Sequence, residues 1–147
     1  MKMTSRRLVL DTNVIIRHDA EDLPDQHLWS AVVLQELAAG AADTSRIREL
    51  RSIRLDAEVN GLLVTPDSED WVETGRILNA LHRGAPSRRS TRPVGIAKGE
   101  QQRLVRDVLI ARSAKRVNAA VVTYNRGDFE KIRRFCGVLV VEPADIF

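Results

Sequence analysis

An α/β fold with a mainly parallel sheet is what this sequence predicts, and three observations predict it. Short apolar runs such as Leu8-Val9-Leu10 and Ala120-Val121-Val122 lack the alternation of a one-sided strand, as strands buried on both faces do. Longer segments with apolar residues at helical spacing lie between such runs. Strands alternating with helices are joined by right-handed crossovers, which stack the elements in layers.

The elements follow in order. Arg7-Leu8-Val9-Leu10 reads as the first strand and ends at Asp11-Thr12-Asn13. Leu28-Trp29-Ser30 leads into a short helix over Ala31–Ala39, with Ser30 as N-cap and Gly40 as its stop. From about Thr44 to Val59, Ile47, Leu50, Ile53 and Leu55 recur near helical spacing, so a partly exposed helix is expected. Leu62-Leu63-Val64 reads as a strand. Pro66-Asp67-Ser68-Glu69-Asp70 opens another helix with acids in its first turn, and Trp71, Ile77, Leu78 and Leu81 are expected on its buried side. Turn formers crowd the stretch from Gly84 to Gly99, which reads as a mobile loop. Glu100–Val117 is a strongly periodic helix, Ala120–Thr123 a strand, Phe129–Phe135 a helix and Val138–Val141 a last strand before Pro143.

Size and composition narrow the class. A chain of 147 residues is one domain in size, and folding hides roughly 68–70% of the extended surface, so a single domain over residues 1–147 is expected. A 44% hydrophobic and 29% charged composition excludes the disordered and fibrous classes. One cysteine, Cys136, excludes an internal disulfide, and the absence of a Cys/His cluster excludes structural zinc. The apolar stretch after the basic N-terminus stops at Asp11, too short for a signal-peptide core or a membrane span, so no membrane association and a cytoplasmic location are expected.

Net charge is only +3, but its distribution is uneven. From Arg83 to Arg106 seven basic residues meet the single acid Glu100, and Arg88, Arg89, Arg92 and Lys98 are candidates for contacting nucleic-acid phosphates. A solvated basic loop is the plain alternative.

Four carboxylates carry the chemistry. Asp11 follows directly on the first strand and Asp128 lies five residues after Thr123, which closes a later one; in parallel sheets the crevice beyond the strands' carboxyl ends is where sites form. Leu104, Val108, Ala111 and Ala114 form the apolar stripe of their helix, and Asp107 projects within it. Glu36 has Val32, Val33, Ala39 and Gly40 as its helical neighbours. Burying lone carboxylates is costly, and crowding them costs more, whereas a divalent cation removes the conflict. Oxygen ligands without His or Cys favour Mg²⁺ or Mn²⁺, which activate water toward phosphorus. The competing structural roles are helix capping for Asp11 and Asp128, the latter before a helix starting at Phe129, and arginine pairing for Glu36 and Asp107.

Leu10-Asp11-Thr12-Asn13-Val14-Ile15-Ile16, Val33-Leu34-Gln35-Glu36-Leu37, Asp107-Val108-Leu109-Ile110-Ala111 and Thr123-Tyr124-Asn125-Arg126-Gly127-Asp128-Phe129 resemble, in order, the four motifs of PIN-domain nucleases, and of the VapC toxins among them. The likeness spans nearly the whole chain. It implies a three-layer α/β/α sandwich, Mg²⁺ or Mn²⁺ held by Asp11, Glu36, Asp107 and the more variable Asp128, and cleavage of RNA. It further implies homodimerisation and a cognate antitoxin whose tail enters the pocket. Thr12, Asn13, Thr123 and Asn125 match polar positions that support the site through hydrogen bonds. The chain departs from the pattern in its long basic segment before Asp107 and in Arg112, where a small residue is frequent.

The function expected is a Mg²⁺-dependent endoribonuclease, the toxin of a bacterial toxin–antitoxin pair. A housekeeping PIN nuclease of RNA processing and a non-catalytic RNA- or antitoxin-binding module are the alternatives. A phosphoaspartate receiver or phosphatase with Asp11 as acceptor fits less well, since Glu142-Pro143 stands where its late lysine would fall. His18, His27 and His82 lie outside the motifs and are excluded from the site. Trp29 and Trp71 are expected in the core and not as base-stacking platforms.

Overall fold

The computed structural model describes residues 6–83 and 98–147, with the backbone alone at 98 and 99. Strand β1 (Leu8–Leu10) runs into helix α1 (Thr12–Arg17), then a 3-10 turn at Ala20–Asp22 and strand β2 (Trp29–Ser30). Helices α2 (Ala31–Ala39) and α3 (Thr44–Val59) precede β3 (Leu63–Val64) and α4 (Ser68–Arg83). After the undescribed stretch come α5 (Lys98–Arg116), β4 (Ala120–Val122), α6 (Arg126–Cys136), β5 (Val140–Val141) and a 3-10 turn at Pro143–Asp145. The basic residues Arg88, Arg89 and Arg92 and the side chain of Lys98 fall outside the described residues, as does most of the expected mobile loop.

All strand pairings among the described residues are parallel. Sheets β1-β4-β5 and β2-β3 meet through a bridge between Val9 and Leu28, giving the order β3-β2-β1-β4-β5. The chain winds outward from β1 on one side and then crosses to β4 on the other. The switch point therefore lies between β1 and β4, where open α/β sheets bind their ligands. Helices pack against this parallel sheet in the three-layer α/β/α arrangement.

Local chemistry explains most boundaries. Ser30 Oγ accepts from the Val32 N–H and caps α2, and Asp43 does the same for α3 through the Arg46 N–H. Helix α6 ends at Gly137, whose φ of 64° is the left-handed conformation glycine adopts without strain. Helix α5 lies at the centre of the helical packing, in contact with α4, α6 and α2, so Leu104, Val108, Ile110, Ala111 and Ala114 are all buried.

Four expectations need correction. Trp29 and Ser30 form a strand and not merely a lead into α2, since the Trp29 N–H donates to the Leu62 carbonyl. Helix α6 begins at Arg126, which places Asp128 inside its first turn and rules it out as a cap for a helix starting at Phe129. Trp71 is 57% exposed. The buried side of α4 is Asp70, Thr74 and Ile77, because Asp70 docks on Arg112 and Arg116 of α5, and the next residue then points about 100° away. Leu55 is likewise exposed, while Trp29 packs against the core as expected.

Candidate active site

Two strand ends build the floor of the pocket. The Asp11 N–H donates to the Val122 carbonyl at 2.9 Å, which locks the end of β1 to the end of β4. Asp11 then caps α1, and its carboxylate is held on both oxygens: Oδ1 accepts from the Thr12 N–H at 2.8 Å and Oδ2 from the Thr123 hydroxyl at 2.7 Å. The capping role and the site role therefore coexist in one side chain.

Thr123 is the hub. Its hydroxyl also accepts from the Asn125 N–H at 2.9 Å and from Asn13 Nδ2 at 3.4 Å, while Asn13 Oδ1 accepts from the Tyr124 N–H. Asn125 stands at the N-cap of α6 without capping it; its amide instead donates to Asp107 Oδ2 at 3.0 Å and Asp128 Oδ2 at 3.1 Å. One continuous network thus joins Asp11, Thr123, Asn125, Asp107 and Asp128. Of the four supporting residues named from the sequence, Thr123, Asn125 and Thr12, the last through its backbone N–H, bond directly to the acids, and Asn13 reaches them through Thr123.

Glu36 enters from α2. Its Oε1 is buried and accepts no hydrogen bond from the described residues, and the Thr12 hydroxyl is likewise buried and unpartnered among them. Thr12 lies near enough to favour the charged form of Glu36, yet neither atom completes a bond to the other. Buried polar atoms left open are uncommon, and Asp70 Oδ1 and Arg112 Nε are the others outside this pocket among the described residues, apart from Arg106 Nε at its rim.

Electrostatics bind the four acids into one unit. Asp107 is 6% exposed, and burial together with the charges of Asp11, Asp128 and Glu36 pushes its pKa up to about 8. Glu36 is raised by burial and by Asp11, against the pull of Arg106. Asp11, 4% exposed, is raised by burial against the hydrogen bonds of Thr123 and Thr12. Groups that perturb one another this way share one pocket.

Two arginines from the basic stretch that could neutralise phosphates sit here, against carboxylates. Arg103 Nε is 3.3 Å from Asp128 Oδ2, and Arg106 Nε is 3.7 Å from Glu36 Oε2. Glu36 thus has the arginine partner weighed for it, whereas Asp107 has none among the described residues. The missed signal was position: Arg103 lies one helical turn before both Arg106 and Asp107, at three and four residues, which sets the two arginines on the same side of α5. With the arginines and Asn125 between them, no three acids among the described residues surround a single point closely enough to form a finished metal cage. The donor set, all carboxylate oxygen with one oxygen left open, suits a hard divalent cation, provided the arginines give way.

Other histidines and aromatics stay outside this network. His18 Nε2 meets the Tyr124 hydroxyl at 2.6 Å and its ring stacks on Phe147, while the Arg17 guanidinium lies 4.3 Å from the centre of the Tyr124 ring. No described helix is long and apolar enough to cross a membrane.

Comparison with known proteins bears on the family and the fold. The family profile of the PIN domain matches residues 8–135. Among solved structures, the chain is similar to a chain of VapBC-1 from nontypeable Haemophilus influenzae, with 22% identity, a TM-score of 0.53 and coverage of 92% of this chain and 96% of that one. It is similar to a chain of DNA-bound VapBC from Salmonella typhimurium, with 21% identity, a TM-score of 0.55 and coverage of 93% and 98%. VapBC2 from Rickettsia felis, bound to a DNA fragment from its promoter, gives 20% identity, a TM-score of 0.54 and coverage of 92% and 97%. At these identities the likeness is one of fold. A sequence search of curated proteins finds no match.

Proposed function

The chain belongs to the PIN domain family, whose members are in general nucleases, and from that premise we propose that it is a Mg²⁺- or Mn²⁺-dependent endoribonuclease. The observation that carries the reading is the excess of negative charge in one pocket: four acids face two arginines. A structural ion cluster would balance its charges.

In this reading Asp11, Glu36 and Asp107 hold the cation, and Asp128 holds a second ion or orients the attacking water. When bound, the cation polarises the scissile phosphate and lowers the pKa of that water. Thr123 and the Thr12 N–H fix both oxygens of Asp11, so its carboxylate is aimed before anything binds. Asn125 holds Asp107 and Asp128 at a set spacing. The N-terminus of α6 adds a partial positive charge beside Asp128, in the first turn where acids are favoured. Arg88, Arg89, Arg92 and Lys98 are proposed to meet flanking phosphates.

The biological setting we propose is the toxin of a bacterial toxin–antitoxin pair, acting in the cytoplasm as a homodimer and restrained by a cognate antitoxin. The fold it shares with chains of VapBC complexes supports this. The test is cleavage of RNA by the purified protein with Mg²⁺, with EDTA, and with Asp11→Asn. Expected are products with 5′-phosphate and 3′-hydroxyl ends, no cleavage with EDTA, and a folded but inactive variant. Products ending in 2′,3′-cyclic phosphate would rule out water as the nucleophile.

A further inference from the structure

Of the two arginines on the acidic pocket, Arg106 is poorly matched to its partner. Its Nε stands 3.7 Å from Glu36 Oε2, beyond the 2.7–3.2 Å of an N–H···O bond. That Nε is shut off from water and has no hydrogen-bond partner among the described residues, and Glu36 Oε1 opposite is equally unpartnered. The same helix shows what a completed pair looks like. Arg116 donates to Asp70 Oδ2 at 3.1 Å and to the Thr65 carbonyl at 2.6 Å. Arg112, 3.5 Å from Asp70 Oδ1 with its own Nε unpartnered among the described residues, is as loosely closed; what sets Arg106 apart is that it faces a pocket with more acids than cations.

The placement adds to this. Arg103 and Arg106 are three residues apart on α5, on the side that presents Asp107, and both side chains remain partly open to solvent. They are long, always charged and anchored beside the crevice. A planar fork of N–H donors suits phosphate as well as it suits carboxylate.

We propose that Arg106, with Arg103 beside it, is the phosphate clamp of this site: it rests on Glu36 in the empty pocket and exchanges that carboxylate for the non-bridging oxygens of an entering RNA phosphate once Glu36 is engaged by a divalent cation. No bond is made or broken in the exchange; one ion pair is traded for another. The inference rests on the nuclease reading and adds to it the group that holds the substrate. It has a consequence that a structural arginine would not have. Arg106 and the cation compete for Glu36, so removing Arg106 strengthens metal binding while weakening RNA binding.

The experiment compares wild type with Arg106→Gln, Arg106→Lys and Arg103→Gln. Calorimetric titration of the RNA-free protein with Mn²⁺ should show tighter binding in Arg106→Gln by several-fold. In cleavage of a single-stranded RNA, Arg106→Gln should raise KM by about tenfold with a smaller change in kcat, and should lower the slope of log KM against log salt by about 0.7, the loss of one phosphate contact. Arg106→Lys keeps the charge and loses the fork, so it should keep the salt slope and still raise KM. Arg103→Gln should move KM in the same direction by less. An Arg106→Gln protein with unchanged KM and salt slope, or with weaker Mn²⁺ binding, overturns the clamp while wild-type cleavage leaves the nuclease reading standing. Should the glutamine variant not fold, an unchanged KM in Arg106→Lys overturns it as well. Wild type that neither binds Mn²⁺ nor cleaves RNA overturns the nuclease reading itself.

Discussion

Helix α5 carries buried charge at two places, and the two are settled in opposite ways. Toward its C-terminal end Asp70, 1% exposed, meets Arg112 at 3.5 Å and Arg116 at 3.1 Å, with Asp67 on Arg116 at 3.3 Å. Two acids face two cations, and Asp67 and Asp70 also accept each other's backbone N–H in a reciprocal cap at the start of α4. The Asp70 N–H holds the Asp67 carboxyl below the usual carboxylate range, with Arg116 helping. Toward the other end, the pocket sets four acids against two arginines; unpartnered buried atoms occur at both places, Glu36 Oε1 and Arg106 Nε here and Asp70 Oδ1 and Arg112 Nε there, so the balance of charge is what separates them. The contrast separates charge that fastens helices together from charge that waits for a ligand.

The largest expected effect breaks the contrast at the pocket. Asp107→Asn should lower the single-turnover rate of RNA cleavage by more than about 10³-fold if Asp107 is a metal ligand, since it removes charge where it is needed. The same change should leave the metal-free protein as stable as wild type or more so, because it relieves crowding among Asp11, Asp128 and Glu36. A variant that cleaves near the wild-type rate would remove Asp107 from the site.

The second prediction follows from the pKa of Asp107, and its sign can be worked out. A carboxyl near 3.8 in the unfolded chain and near 8 in the folded one binds its proton more tightly when folded. The stability this contributes is complete below about pH 4 and is lost as pH rises through 8. Asp11 and Glu36, also raised, act in the same direction. In EDTA, urea unfolding should therefore show stability falling between pH 5 and pH 8 at up to about 1.4 kcal/mol per pH unit from Asp107. Saturating Mg²⁺ should flatten the curve at its alkaline end, and so should Asp107→Asn. Stability that rises over this window in EDTA would show that the acids are compensated within the chain.

Much of this was legible before any coordinates, for physical reasons that differ by residue. Asp107 and Glu36 stood out because each interrupts an apolar helical face, and Asp11 because it ends an apolar run; all three are found where those patterns put them. Thr123 and Asn125 came from the family resemblance, and in the structure they hydrogen-bond to Asp11, Asp107 and Asp128. Strand β2, with only Trp29 and Ser30, is too short to show a period. The exposure of Trp71 was hidden because the face of α4 is chosen by a polar residue, Asp70, against the hydrophobic pattern. Arg103 and Arg106 were hidden for the opposite reason: in one dimension they belong to a basic run, and only the crossing of α5 over α2 and α6 sets them on carboxylates.

Arg112 brings the last and smallest prediction, because the resemblance led to the expectation of a small residue there. A small residue at 112 would leave Asp70 to Arg116 alone, so the arginine and the buried acid belong together and have no part in chemistry. Asp70→Asn removes the charge that holds both arginines. It should cost about 2–3 kcal/mol, toward the low side of what breaking a buried pair costs, since both arginines still reach solvent. That corresponds to a fall in Tm of roughly 5–10 °C for a domain of this size. Well below Tm, RNA cleavage and Mn²⁺ affinity should match wild type, since the cluster shares no residue with the pocket. If Asp70→Asn instead impairs cleavage in protein that remains fully folded, the two ends of α5 are coupled, and the division between fastening charge and waiting charge fails.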